Sequence, residues 1–406
     1  MAPAADNLTD LADALLAGDD AERVRRYPGP SRDRQPVHTA YVPADRFSAG
    51  TPRQWGRDAL RALDEHGPLP GFDDAEHAKV RVKLAREPIE DLRIDFEDGY
   101  GIRPDEVEDA ATVAAASALA DLAETELAPP FCGLRIKSLE QAVRRRGLGT
   151  LAMFLDTLLA RTALPAGFRI TLPKVTSVRQ VRAMAECCAV LESRHGLAEG
   201  ALRFELQIET PQAILGPDGT ALVAPMITAA AGRCAGLHYG TYDYSASLGI
   251  AAAFQSLAHP AADHAKAVLQ VAAAETGIAV SDGSTNVLPV GGTAAVRDAW
   301  QLHAGLVRRS LERGFYQGWD LHPAQLPTRY AATFRFFTDG LAAAQARLAA
   351  YQARLRTGPE SNIADEPATA RALADYLARG IACGAISEPT AAGTEPPNRT
   401  EPAPGD

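Results

Sequence analysis

In the stretch "RFELQIET" (203–210) apolar and polar residues alternate: Phe204, Leu206 and Ile208 fall on one side of an extended chain, Glu205, Gln207 and Glu209 on the other. Short apolar or alternating runs recur at 38–43, 92–98, 133–138, 168–175, 204–209, 235–243, 278–283 and 316–323. Between them, longer Ala/Leu/Arg-rich stretches with apolar residues three and four apart predict helices near 104–127, 148–161, 176–195, 218–231, 260–276 and 293–313. The last of these ends on basic residues and Gly314, a helix terminus with its stop signal. Eight strands alternating with helices predict an α/β fold of the (β/α)8 barrel type, with a doubly wound open sheet as the alternative. Charge at the strand ends favours the barrel, whose catalytic groups sit at the carboxyl ends of strands. Glu97 and Asp98, Arg135 and Lys137, Lys174, Glu209, Asp243, Asp282 and His322 collect there.

The pattern divides the chain into an N-terminal extension (1–36), the barrel (37–335), a C-terminal helical segment (336–386) and a tail (387–406) whose Pro/Glu/Thr-rich composition is that of a disordered end. The segment 44–90 is long for a strand-to-strand connection and predicts a helix around 51–65 before an excursion. In the C-terminal segment a helical stretch from Asp365 to Gly384 carries Ala370, Leu373, Leu377 and Ile381 at spacings of three and four, so one face needs a partner. It is either a helix on the barrel's outer wall or a lid over a barrel mouth, its own or a neighbour's.

A net charge of −10 over 406 residues argues against nucleic acid or an anionic membrane as partner. Of the 41 basic residues only five are Lys, so positive charge is mostly guanidinium, suited to carboxylate and phosphate groups. Cys132, Cys187, Cys188, Cys234 and Cys383 show neither a CxxC pair nor ligand spacing with histidine, and no signal peptide is legible in the first 36 residues. A cytoplasmic protein is the expectation.

Glu209 and Asp243 end consecutive strands, which would set their carboxylates side by side over the barrel mouth. Two carboxylates with room for waters and a bidentate substrate suit Mg²⁺, which keeps octahedral oxygen coordination. The plainer alternative is that each caps the following helix. Arg135 points to the same face and could stabilise an oxygen that turns negative when a carbon–carbon bond breaks to an enolate, or form a salt bridge to Glu97 or Asp98. Those two carboxylates in "DFEDG" would hold Arg135 or support the metal from behind, as a simple loop cluster also could. Lys174 and His322 read as structural or substrate-lining. Gly240 with the amides of Thr241 and Tyr242 could grip a substrate carboxylate.

The motifs "AYVPADR", "IDFEDG", "LRIKS", "TLPKVTS", "LQIETPQAIL", "HYGTYDYSASLG" and "GWDLHPAQL", in this order from about 38 to 335, resemble the strand-end motifs of the HpcH/HpaI aldolase and citrate lyase beta-subunit family. The resemblance implies a (β/α)8 barrel, Mg²⁺ or Mn²⁺, and cleavage or formation of a carbon–carbon bond next to a carboxylate or thioester. It assigns Glu209 and Asp243 as metal ligands and Arg135 as the catalytic arginine. Its "GTYDYSASLG" also resembles the malate synthase branch of the superfamily. The expectation is a metal-dependent lyase acting on a 2-oxo or 2-hydroxy carboxylic acid or its coenzyme A thioester, in a homo-oligomer. The alternatives are a malate synthase-like condensation of glyoxylate with an acyl-coenzyme A, and a non-catalytic barrel serving as a binding or regulatory subunit.

Overall fold

The computed structural model describes residues 4–31, 33–357 and 366–387. Eight strands, β1 (His38–Pro43), β2 (Asp91–Asp95), β3 (Phe131–Arg135), β4 (Phe168–Leu172), β5 (Arg203–Ile208), β6 (Cys234–Tyr239), β7 (Ala279–Ser281) and β8 (Gly318–Asp320), pair in parallel in the order β7-β6-β5-β4-β3-β2-β1-β8. A bridge from Ser281 to Gln317, with Asp282 N donating to the Gln317 carbonyl at 2.8 Å, joins the two ends of the sheet. The fold is thus the (β/α)8 barrel, with no open sheet. Seven of the strands stop earlier than the periodicity predicts, because the residues past the last ladder bond turn over the mouth. After β4, for example, Pro173 has no N–H to donate and Lys174 takes a φ of 51°.

The helices follow the predicted spacing with two differences. The excursion 44–90 holds two helices, Thr51–His66 and Asp74–Arg86, the second opened by a reciprocal cap between Asp73 and Glu76. The stretch predicted as a helix over 218–231 is helical only at Val223–Ala229, since Gly219 (φ 82°) holds its start in a turn; a separate helical turn, Pro211–Ile214, precedes it. Outward-facing strand residues, among them Leu92, Ile94, Leu134, Ile170, Phe204, Leu206, Ile208 and Leu237, pack with helix residues such as Leu119, Phe154 and Met184 into the main core.

The barrel interior, by contrast, is polar. Arg93 is completely buried there and donates to Asp91 and Glu205, at 2.8 Å each, and to the Arg169 carbonyl at 3.2 Å. Gly133 makes this possible: a Cβ there would stand 1.7 Å from that carbonyl and 2.7 Å from the Arg93 guanidinium. Buried charges are tolerable only when paired in this way.

The N-terminal helix Ala4–Arg26 is solvent-exposed from Leu8 to its end. At the other terminus, the helix Leu326–Thr357 is followed by the helix Pro367–Ala382, which buries Ala370, Ala374 and Leu377 against it, with Leu373 and Ile381 partly buried beside them. The Tyr376 hydroxyl donates to the Phe336 carbonyl at 2.6 Å, and Arg379 donates to Gln35, just before β1. This helix therefore lies on the outer wall near the amino ends of the strands, away from the mouth of its own barrel. The predicted tail beyond 387, and Asp365 at the predicted start of the last helix, lie outside the described residues.

Candidate active site

Strand β5 carries an inward column along the barrel: Arg203, Glu205, Gln207 and then Glu209, one residue past the strand. Glu209 is 2 % exposed. Its Oε1 accepts from the Lys174 amide at 2.8 Å and its Oε2 from the Gln207 side-chain amide at 2.5 Å. Burial, together with the charges of Glu97 and Asp243, pushes its carboxyl up to about 8, although Lys174 and Gln207 act against this. Gly240 leaves the space that Glu209 fills, since a Cβ there would stand 2.3 Å from Oε2.

Lys174 gathers the acids. Its ammonium contacts Glu97, lies 2.9 Å from each oxygen of Asp98, and stands 3.4 Å from Asp243 Oδ2. Burial disfavours the ammonium, but Glu97 and Glu209 outweigh it and raise Lys174 above the ordinary lysine range. Burial pushes Glu97 up to about 7, with Arg135 acting against it and Asp98 with it. Against the cost of its own burial, the bonds from Glu97 and Lys174 hold Asp98 below its usual range. Asp243 does not end a strand as the sequence implied. It sits in the first turn of the short helix Thr241–Ser247 that follows β6, with its side chain 43 % exposed at the mouth.

Arg135, at the last position of β3, is held by a residue that the sequence did not single out. Asp95 accepts from its Nε at 2.7 Å and its Nη2 at 2.6 Å, a two-pronged pair, whereas Glu97 stands 3.5 Å from Nη1 and Asp98 makes no ion pair with it. Gln207 Oε1 accepts from Nη1 at 3.3 Å, and the Tyr41 ring lies 4.8 Å from the guanidinium carbon. Asp95 was legible in principle, because in "RIDFED" it shares the inward face with Arg93 and Glu97.

Three strand-end residues lie outside this cluster. Lys137 is buried against Glu108, at 2.6 Å, and the Phe96 carbonyl. Asp282 binds Lys266 at 2.9 Å and Ser310 at 2.6 Å, on the helix side of β7. His322 accepts from the Ala324 amide as the cap of a short turn. Of the expected substrate amides, Gly240 N already donates to the Ile208 carbonyl at 3.0 Å, while those of Thr241 and Tyr242 open the short helix, where no intrahelical acceptor exists.

The cluster thus sets five carboxylates, Asp95, Glu97, Asp98, Glu209 and Asp243, against two cations, Arg135 and Lys174. Asp95 and Arg135 neutralise each other, so the remaining four acids face one ammonium. A divalent cation fits this deficit, and the all-oxygen donor set of Glu209 and Asp243 fits Mg²⁺. Among the described residues no group of three or more His, Cys, Asp or Glu forms a ready-made metal cage.

Fold and mouth together place the protein among (β/α)8 barrels with an acidic site at the carboxyl end of the strands. The chain belongs to the family described as "Domain of unknown function (DUF6986)", whose model matches residues 16–399. No curated protein matches it. Similar solved structures include a citrate lyase from Burkholderia xenovorans LB400 (TM-score 0.60, 20% identity, 89% of this chain and 96% of that one). Another is malate synthase from Haloferax volcanii (TM-score 0.53, 15% identity, 81% and 94%). A third is protein CitE from Mycobacterium tuberculosis in complex with magnesium, acetoacetate and coenzyme A (TM-score 0.50, 20% identity, 86% and 99%). At these identities the likeness is one of fold. No described helix is long and apolar enough to cross a membrane.

Proposed function

We propose that the protein is a Mg²⁺-dependent carbon–carbon lyase of the HpcH/HpaI aldolase and citrate lyase type, acting through an enolate on a 2-oxo or 2-hydroxy carboxylic acid or its coenzyme A thioester. The observation that carries the proposal is the four-carboxylate cluster around Lys174, with Arg135 beside it at the barrel mouth. The fold neighbours support it, one being a citrate lyase and another holding magnesium, acetoacetate and coenzyme A.

Glu209 and Asp243 would hold Mg²⁺, or Mn²⁺ in its place, and the bound cation supplies Lewis-acid polarisation of substrate oxygens. Arg135, fixed by Asp95, donates to the oxygen that gains charge as the carbon–carbon bond breaks. Gln207 ties the two halves together, donating to Glu209 while accepting from Arg135. Lys174 keeps Glu97 and Asp98 in place, and the Thr241 and Tyr242 amides orient the substrate carboxylate.

The test is turnover of 2-oxo acids, 2-hydroxy acids and acyl-coenzyme A esters with and without Mg²⁺, read as released pyruvate, glyoxylate or free thiol. Cleavage that disappears on chelation is the expected result. Turnover that requires both glyoxylate and a thioester would move the protein to malate synthase-like condensation. Failure of the protein to bind Mg²⁺ by calorimetry would sink both enzyme readings and leave a non-catalytic barrel.

A further inference from the structure

We propose that the amino end of the barrel carries a second binding site, for a small oxyanion of the phosphate or carboxylate type, held by Arg169, Arg203 and Arg379. A cleft of about 330 Å³ opens there, and these three guanidinium side chains line it. Arg169 and Arg203 are register partners on neighbouring strands β4 and β5, so their side chains leave the sheet together. Arg379 comes from the C-terminal wall helix.

None of the three forms an ion pair with a carboxylate among the described residues. Arg169 donates to the Phe168 carbonyl at 2.8 Å, Arg203 to the Cys234 carbonyl at 3.2 Å, and Arg379 to the Gln35 side chain at 2.7 Å while stacking over Tyr316. Four acids, Asp33, Asp91, Glu205 and Glu275, also line the cleft, and none forms an ion pair with these three arginines; Asp91 accepts from Thr39 and Arg93, and Glu205 from Arg93 and Thr171. Burial and then the neighbouring Arg203 charge lower the Arg169 pKa, and Glu205 and Asp91 offset this only in part.

The polar network around the cleft is also unfinished. His238, 2 % exposed and lining the cleft, has no partner for Nδ1, and Arg203 Nε has none; Asp91 Oδ1, also unpaired, is an acceptor and takes no part in holding an anion. Native proteins rarely leave several buried polar atoms unpaired in one place. Planar guanidinium forks match the oxygens of phosphate and carboxylate, and no cation would enter among three of them. The cleft is too small for a polymer, and the chain's net charge of −10 does not favour a polyanion.

The site is distinct from the acidic mouth. Arg203 and Glu209 lie at opposite ends of the β5 column, six residues apart, or roughly 20 Å at strand rise.

The test is calorimetric titration of the full-length protein with inorganic phosphate and, separately, with succinate. Saturable one-site binding of either anion is expected, and the anion that binds more tightly names the ligand class. Arg203→Gln and Arg169→Gln should each weaken it by about ten-fold or more, the loss of a charge-assisted hydrogen bond, and Arg379→Gln by less. Glu209→Gln, at the far end, should leave it unchanged. Should a glutamine variant fail to fold, Arg169→Lys keeps the charge but loses the planar fork and should still weaken binding. The proposal is overturned if neither anion saturates, if wild type and arginine variants bind alike, or if Glu209→Gln abolishes binding as fully as Arg203→Gln.

Discussion

The two ends of one barrel have opposite characters. At the carboxyl end, carboxylates outnumber the cations that face them; at the amino end, three guanidiniums stand without acid partners. Two strands link the ends: β5 leads inward from Arg203 to Glu209, one residue past the strand, and β4 begins at Arg169's end while the turn after it brings in Lys174. Between them Arg93 bridges Asp91 and Glu205. Buried charge is thus paired within the chain in the middle of the barrel and less fully paired at its ends. The middle reads as structure and the ends as sites.

The sharpest break in this contrast is Glu209→Gln. The amide keeps the shape but loses the charge, so Mg²⁺ affinity and Mg²⁺-dependent turnover should fall by more than the ~100-fold typical of supporting residues, and Asp243→Asn should behave likewise. Near-normal calorimetric affinity in either variant would remove that residue from the metal site. Arg135→Lys should lower kcat by about 100-fold while Mg²⁺ affinity changes little, because a lysine cannot reproduce the two-pronged hold on Asp95. Equal losses in both would mean that Arg135 only props the carboxylates.

A smaller effect concerns pH. The Glu209 carboxyl, at about 8 in the fold against an ordinary 4.5, favours the protonated folded state, and Glu97, at about 7, acts in the same direction. Their contribution to stability is fully present below pH 4.5 and is lost as pH rises towards 8. Metal-free protein should accordingly lose Tm over this range, with Mg²⁺ or Glu209→Gln flattening the curve. Identical slopes for wild type and Glu209→Gln would refute the charge deficit. The least effect on turnover is expected from Leu377→Ala in the wall helix, which should cost about 2–4 kcal/mol of stability in a chemical melt while the folded enzyme keeps its kcat. Loss of kcat without loss of stability would instead make that helix a lid on a mouth.

Much of the barrel was legible because β5 and its counterparts carry their burial pattern in alternate residues, and strand periodicity survives any connection between strands. The positions of Glu209, Arg135 and Lys174 followed from strand ends. What was not legible is pairing between strands. That Asp95 rather than Glu97 grips Arg135 depends on the register of β2 against β3, and the displacement of Asp243 into a helix depends on where the β6 ladder stops. Lys137 and Asp282 stand at strand ends as expected but turn towards the helices, because Glu108 and Lys266 wait there. The helix Asp74–Arg86 had a readable cap in Asp73 and Glu76, yet its low amphipathicity hid it within the excursion.

Gly240 gives the site a mechanical tolerance as well as a chemical one. The carboxylate of Glu209 passes where any side chain at 240 would lie, 2.3 Å from its oxygen. A single methyl group, carrying no charge and touching no substrate, is therefore enough to put the acid out of alignment. Position 240 sets a gauge for how far Glu209 can reach, and a change there would be felt in affinity for the cation before it was felt in the stability of the barrel.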